Sequence, residues 1–286
     1  MIQRIGLIGD PVAHSRSPAM QNAALMHLGI PASYELWHTP ADALPARIAM
    51  LRASEYLGAN VTLPHKAAVL PLLDDLEQIA ARIGAVNTIY KRADGTLVGT
   101  NTDAPALLTT LREDVQFEPG GQRVVLLGAS GAARAAAYAL VAAQVERLVV
   151  VNRTLERAEE LLADVTLSQL DPHDYQETAP LPQLIALALD DPDVPAYLAD
   201  SMLLINATAV GWQAEEMPLP TLVVAPGMLV YDMVYRSTRL LREAAAQGAR
   251  TLDGLGMLLH QGALAFTRWT GQPAPLAVMR SALQAA

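Results

Sequence analysis

At 286 residues the chain is long enough for two modest domains, and an apolar content of 52% with a mean hydropathy of +0.23 supplies ample core. A formal net charge of −9 and a pI of about 5.1, with no cluster of Lys and Arg, argue against a nucleic-acid backbone as partner. The absence of cysteine excludes disulfides, iron–sulfur clusters and thiolate chemistry, and the six histidines show no paired ligand spacing, so no metal is expected.

The first residues, Met1 to Gly9, read as a short strand meeting a turn, without the apolar core and cleavage site of a signal peptide. No apolar run approaches the ~20 residues of a membrane helix, so the expected compartment is the cytoplasm. Pro18 in a first helical turn, with Ser17 as N-cap, predicts a helix that stops at Gly29. Ser15 and Ser17 then place two hydroxyls at a helix N-terminus, a site suited to a small carboxylate; a purely structural turn and cap explain the same residues equally well. A strand over 33–37 and a helix over 41–51 follow. The next strand carries Asn60 and Thr62 on one side by its period of two, and Pro64 predicts a helix whose first turn holds Lys66.

Of the 20 basic residues only Lys66 and Lys91 are lysine. Lysine can release a proton when its surroundings favour the neutral amine, which arginine effectively cannot. Lys91 adjoins the hairpin signal Ala93-Asp94-Gly95 and reads as solvated. An amphipathic segment over 72–83, the stretch Gly84 to Ile89 and a helix over 105–112 complete the first half.

From Arg123 the chain reads as a buried strand, Val124 to Leu127, a glycine turn and an alanine-rich helix. Gly128, Ala129, Ser130, Gly131 and Ala132 would bring free backbone N–H groups and a helix dipole to one point, a cradle for a pyrophosphate. The match to G-x-G-x-x-G/A is imperfect, with Ser130 at the second glycine position; a turn that only packs helix on strand, or a methyltransferase loop, remains the alternative. The next strand ends in Asn152-Arg153-Thr154, without the acidic residue that an NAD enzyme places there. Arg153 and Arg157 offer guanidinium forks suited to a 2′-phosphate, hence NADP; a solvated face shared with Glu156 and Glu159 is the competing account. The segment 165–199 carries several breakers and reads as a surface excursion with one helical piece over 181–189. Strands over 202–206 and 228–232 follow, then helices over 238–247, 256–270 and 275–283, with Thr208 at a strand's C-terminal end where ligands of open α/β sheets bind.

Gly9-Asp-Pro, His14-Ser-Arg-Ser-Pro18, Asn60-Val-Thr-Leu-Pro-His-Lys66, Gly84-Ala-Val-Asn-Thr88 and Asn101-Thr-Asp103 resemble the shikimate dehydrogenase family. The similarity continues through Asn152-Arg-Thr154, Asn206-Ala-Thr208 and Asp253-Gly-Leu-Gly-Met-Leu-Leu-His-Gln261, and so spans nearly the whole chain. The resemblance implies that Ser15 and Ser17 hold a substrate carboxylate, that Thr62, Asn87 and Gln261 bond ring hydroxyls, and that Lys66 and Asp103 are the catalytic pair. Asn60 would support the site, Tyr235 would line it, and Gly254 and Met257 would border the nicotinamide. Three positions depart from the family pattern: Gln21 in place of His, Trp212 in place of Met, and Arg236 where a Pro is usual close after the tyrosine.

The expected architecture is two-domain α/β. A discontinuous substrate-binding domain, 1–104 with 251–286, would accompany a Rossmann-like NADP domain, 105–250, with the active site in the cleft between them. The implied reaction is NADP-dependent interconversion of 3-dehydroshikimate and shikimate, by a monomer or homodimer with a small-molecule substrate and no nucleic-acid or membrane partner. A quinate/shikimate dehydrogenase accepting NAD, and a catalytically silent metabolite-binding regulator, are the rival readings.

Overall fold

The computed structural model describes residues 2–169, 182–213 and 215–286. These form two compact units, Met1–Asp103 with Leu258–Ala286, and Ala104–Met257.

The first unit is a mixed six-stranded sheet ordered β2-β1-β3-β5-β6-β4. Its strands are β1 (Gln3–Gly9), β2 (Ala32–His38), β3 (Tyr56–Val61), β4 (Asp75–Leu76), β5 (Thr88–Lys91) and β6 (Leu97–Thr100). β1 pairs parallel with both β2 and β3, which explains its unbroken apolar run: Ile5, Leu7 and Ile8 are covered on both faces. The helices are α1 (Ser17–His27), α2 (Leu44–Met50), α3 (Gln78–Ile83) and, from the C-terminal part of the chain, α9 (Leu255–Thr270, inside this unit from Leu258) and α10 (Leu276–Ala285). One apolar cluster joins Met20 and Leu25 of α1 to Leu259 and Phe266 of α9 and to Met279 of α10 over β1. A second packs Trp37, Ile48 and Leu51 against the other face with Val61 and Ile89.

Several expectations are corrected here. Ser17 is the first helical residue of α1 and not its cap; Arg16 holds the cap position in helical geometry, and the Ser15 hydroxyl accepts from the Ser17 amide at 3.2 Å. No helix starts at Pro64; residues 62–69 form turns, with His65 tied to the Thr39 carbonyl. Residues 41–43 form a 3₁₀ turn before α2, and 72–83 splits into the short β4 and α3. Lys91 is not simply solvated, since its ammonium donates to the Ala53 carbonyl at 2.6 Å beyond the end of α2.

The second unit is a wholly parallel six-stranded sheet ordered β12-β11-β10-β7-β8-β9. Its strands are β7 (Arg123–Leu127), β8 (Arg147–Asn152), β9 (Gln183–Ala188), β10 (Leu203–Asn206), β11 (Leu229–Asp232) and β12 (Arg250–Leu252). The helices are α4 (Asp103–Thr109, continued by a π-helical turn to Asp114), α5 (Gly131–Ala142), α6 (Leu155–Gln169), α7 (Val194–Ala199) and α8 (Arg239–Ala246). The central strands read as valine and leucine runs because helices cover both sheet faces. The strand order reverses between β7 and β10, and a ligand crevice opens outside the carboxyl ends of the strands at such a reversal.

The expected helical piece over 181–189 is instead β9, paired with β8 from Arg147↔Gln183 to Asn152↔Ala188. Leucine and alanine favour helix locally, but a free edge beside β8 rewards extended pairing. Leu181 lies outside the described residues, and so does the part of the expected excursion over 170–180. The return to the first unit falls after Met257, because β12 pairs with β11 and keeps its segment in the second sheet; the boundary expected at 250/251 moves accordingly.

Candidate active site

Within the first unit the ends of β3, β5 and β6 bring several polar side chains together. The Lys66 ammonium donates to Asp103 Oδ2 at 2.6 Å, although the two residues are 37 positions apart. Their side chains are 13% and 7% exposed, so the pair is largely enclosed but keeps some accessible surface. Asn87 Nδ2 donates to Asp103 Oδ1 at 2.7 Å and to the Thr102 hydroxyl at 2.9 Å, while Asn87 Oδ1 accepts from the Thr102 amide at 2.8 Å. The Asp103 amide is itself held by Asn101 Oδ1 at 3.0 Å. Both carboxylate oxygens therefore have a fixed donor, and two of the ammonium's three N–H groups remain to donate elsewhere.

Asn60 extends this network inward, donating to the Asn87 carbonyl at 3.1 Å and to the Thr88 hydroxyl at 3.0 Å. Its Oδ1 accepts from the buried Tyr34 phenol at 2.8 Å. Burial raises the Tyr34 phenol well above its ordinary value, and the neighbouring Ser17 hydroxyl opposes that shift. Ser15 and Thr62 are half-buried, and Gln261 on α9 folds back onto the Leu258 carbonyl at 2.9 Å. His65 anchors the segment that carries Lys66, with Nε2 2.6 Å from the Thr39 carbonyl.

In the second unit the turn after β7 is shaped for close approach. Gly128 has φ +107, and a Cβ there would lie 3.0 Å from Thr208 Cγ2 and 3.3 Å from the Ala207 carbonyl oxygen. Ser130 precedes α5 in extended geometry without capping it, and the first intrahelical bond is Arg134 N to Ser130 O at 2.8 Å. The amides of Gly131, Ala132 and Ala133 precede that bond, and the first turn holds no acidic residue to repel an anion. Thr208 is fixed by Asn206 Oδ1, which accepts from its hydroxyl at 2.7 Å and its amide at 3.1 Å.

At the end of β8, Asn152 Nδ2 turns onto the Thr154 carbonyl at 2.7 Å. Arg153 and Arg157 are exposed, and their guanidinium groups make no hydrogen bond or ion pair among the described residues. Free backbone amides at a helix start, an adjacent glycine whose backbone conformation disfavours any side chain, two unengaged guanidiniums and no carboxylate at the strand end fit NADP.

A buried carboxylate, Asp232, ties two loops of this unit together by accepting from Asn206 Nδ2 at 3.0 Å, the Val234 amide at 3.0 Å and the Thr238 hydroxyl at 2.7 Å. Burial raises its pKa against those three bonds. Gly254 is packed on Met233, where a Cβ would collide with the carbonyl oxygen, and Met257 is buried nearby in sequence. Tyr235 belongs to this unit, its ring edge-on to Trp212 at 4.8 Å, and Arg236 donates to the Trp212 carbonyl. Two of the three departures from the family pattern are thus direct neighbours.

The structure therefore joins Lys66, Asp103, Asn87 and Asn60 by hydrogen bonds, places Ser17 beside Tyr34, and puts Thr208 at the Gly128 turn. Sequence reasoning missed Tyr34, Thr88 and Asp232. Nothing local marks Tyr34, because a tyrosine in a half-buried strand is an ordinary core residue. Among the described residues no group of three or more His, Asp or Glu is placed to hold a metal ion, and no helix is long and apolar enough to cross a membrane.

A doubly wound parallel sheet with an anion nest at its first turn, accompanied by a separate α/β unit with an enclosed lysine–carboxylate pair, defines a two-domain dinucleotide-dependent α/β enzyme. Family models describe residues 7–89 as a shikimate dehydrogenase substrate binding domain, 112–186 as shikimate / quinate 5-dehydrogenase and 254–284 as a shikimate 5′-dehydrogenase C-terminal domain. A shikimate dehydrogenase (NADP(+)) of Moorella thermoacetica is 44% identical over 286 residues, covering 99% of this chain and 92% of that protein. The Thermus thermophilus shikimate 5-dehydrogenase in complex with NADP(H) and shikimate matches with a TM-score of 0.84 at 38% identity, covering 99% of each chain. A quinate dehydrogenase of Corynebacterium glutamicum in complex with NAD matches with a TM-score of 0.85 at 29% identity, covering 99% of each chain. The chain belongs to the shikimate dehydrogenase family.

Proposed function

We propose that this chain catalyses the NADP-dependent interconversion of 3-dehydroshikimate and shikimate, a step in making aromatic amino-acid precursors. The observation that carries the reading is the enclosed Lys66–Asp103 pair, with Nζ to Oδ2 at 2.6 Å and the second carboxylate oxygen held by Asn87. Oxidising a secondary alcohol requires a hydride acceptor and a group that receives the hydroxyl proton; reduction runs the same pair backwards. NADP, when bound, supplies the hydride chemistry.

The chain's own residues would do the rest. Lys66 Nζ would hydrogen-bond the reacting oxygen and Asp103 would hold the ammonium in place and share its proton. Ser15 and Ser17 would hold the substrate carboxylate, and Thr62, Asn87 and Gln261 would bond ring hydroxyls, with Asn60 supporting Asn87 and Tyr235 lining the pocket. Gly128 to Ala132 would take the pyrophosphate, with Thr208 beside them, and Asn152 to Thr154 with Arg157 the phosphorylated ribose. Gly254 and Met257 would border the nicotinamide. The cytoplasm is the proposed compartment, since substrate and cofactor are both small charged solutes.

The test is absorbance at the reduced-nicotinamide band, offering shikimate or quinate against NADP⁺ or NAD⁺. Turnover of shikimate with NADP⁺ is expected. The likeness to a quinate dehydrogenase bound to NAD makes quinate with NAD⁺ the second reading. A preference for that pair would overturn the assignment of Arg153 and of the substrate, while leaving Lys66 and Asp103 in place.

A further inference from the structure

The polar network of the first unit does not stop at residues expected to meet substrate. It continues through Asn60 to a single phenol, that of Tyr34, which lies in the apolar cluster formed by Ile5, Leu7, Met20, Leu25 and Phe266. Tyr34 is 3% exposed, and its hydroxyl donates to Asn60 Oδ1 at 2.8 Å. Asn60 in turn holds the Asn87 carbonyl and the Thr88 hydroxyl, and Thr88 donates to Asn87 Oδ1 at 3.0 Å. Asn87 is the group that fixes Asp103 Oδ1.

The same tyrosine also secures α1. Asn22, on that helix, accepts from the Tyr34 amide at 2.8 Å and donates to the Tyr34 carbonyl at 2.9 Å. β2 is an edge strand, so these backbone groups have no partner strand on the outer side, and the Asn22 side chain takes its place. Ser17, one turn before Gln21 and Asn22 on α1, faces the Tyr34 phenol. One residue thus touches the helix that carries Ser17 and the amide that orients Asn87.

We propose that Tyr34 is a positioning residue for the reaction, whose hydroxyl sets the spacing between the serine corner on α1 and the Asn87–Asp103–Lys66 group. The inference rests on the function proposed above. A tyrosine whose only task were packing would need no hydroxyl in an apolar core; here the hydroxyl has a partner, and that partner is bonded to the Asn87 that holds Asp103. The ring itself packs on Trp269, with centroids 6.0 Å apart, so phenylalanine would keep the packing and remove only the link.

The experiment compares wild type, Tyr34→Phe and Leu25→Val with shikimate and NADP⁺. Leu25 is 1% exposed in the same cluster and has no polar atom in its side chain, so Leu25→Val loosens the core without touching the network. Tyr34→Phe is expected to lower kcat roughly tenfold and raise KM for shikimate, with KM for NADP⁺ unchanged. Leu25→Val is expected to lower the melting temperature and leave all three constants as in wild type. Asn60→Ala should reproduce the Tyr34→Phe pattern, and the double variant should lose no more than the worse single one, because both cut one chain of bonds. Should Tyr34→Phe not fold, Asn60→Ala is read against Leu25→Val in its place, with the same two outcomes. If Tyr34→Phe matches Leu25→Val, losing stability but neither kcat nor shikimate affinity, the positioning role is overturned while the reaction stands. If the wild type itself does not oxidise shikimate, the functional reading fails first and the role of Tyr34 falls with it.

Discussion

In the first unit the polar side chains at the strand ends are already bonded to one another, whereas in the second the backbone amides at the start of α5 and the Arg153 and Arg157 guanidiniums, the charged and partly charged groups that would meet a ligand, are left open. Lys66, Asp103, Asn87, Thr102 and Asn60 form one connected set of hydrogen bonds with several members buried. Around the Gly128 turn the donors are backbone amides at the start of α5, and Arg153 and Arg157 extend unengaged from the end of β8 and the start of α6. The difference suits the proposed work. Proton transfer gains from groups held within a few tenths of an ångström, and a buried network supplies that rigidity. A dinucleotide brings its own charge and finds its affinity in donors that nothing else has claimed.

The largest effect expected from this contrast comes from cutting the closed network. Lys66→Ala should lower kcat by about 10²- to 10⁴-fold in steady-state assays with shikimate, the usual share of general acid–base catalysis, while KM for NADP⁺ stays the same. Retention of near-normal turnover in a folded Lys66→Ala protein would make the pair a structural ion pair only. On the open side, Arg153→Ala should raise KM for NADP⁺ by about ten- to a hundredfold, the worth of one charge-assisted contact, and leave NAD⁺ kinetics unchanged. Equal losses with both cofactors would remove the 2′-phosphate assignment.

A smaller effect tests the shape of the cradle. Gly128→Ala places a Cβ 3.0 Å from Thr208 Cγ2 at a φ of +107, and the strained backbone should cost about 1–3 kcal/mol in denaturant unfolding, together with weaker NADP⁺ binding by fluorescence titration. A Gly128→Ala protein with unchanged cofactor affinity would mean the pyrophosphate does not approach that backbone. The smallest expected effect lies away from both sites, at the Arg4–Glu35 pair between β1 and β2. The Arg4 guanidinium holds the Glu35 carboxyl at about 2 against an ordinary 4.5, despite partial burial that favours the neutral acid. The depressed value means that the pair stabilises the fold above pH 4.5 and that this share is lost as pH falls through 2. Glu35→Gln should therefore be slightly less stable than wild type at neutral pH, by under about 1 kcal/mol for such a half-exposed pair, with the difference shrinking as pH falls below 4.5 and gone only below pH 2. A constant difference across that range in pH-dependent thermal melts would show that the pair does not act through Glu35 ionisation.

Much of this was legible without coordinates. Strand–helix alternation, the glycine turn before an alanine-rich helix, the missing carboxylate after β8 and the isolated Lys66 all depend on residues close together in the chain, where spacing and local propensity carry the information. The family motifs named Lys66, Asp103, Asn87 and Asn60 before their contacts were visible. Local reasoning failed where a distant strand outbid it. The leucine- and alanine-rich run before residue 190 became β9 because β8 offered it a complete parallel ladder. The expected helix at Pro64 gave way to turns, with His65 held by the Thr39 carbonyl, 26 residues earlier.

What the chain determines by itself is the class of its parts: two α/β segments, a glycine turn shaped for an anion, a strand end without the carboxylate that NAD enzymes place there, and one lysine set apart from the arginines. Only the tertiary structure decides which groups are partners. Strand order in the first sheet sets Asp103 against Lys66 and Asn87, and it brings the Tyr34 phenol to Asn60 across β1, 26 residues along the chain. Such pairings are contacts between segments far apart in sequence, fixed by how the strands stack beside one another, and no local pattern encodes them.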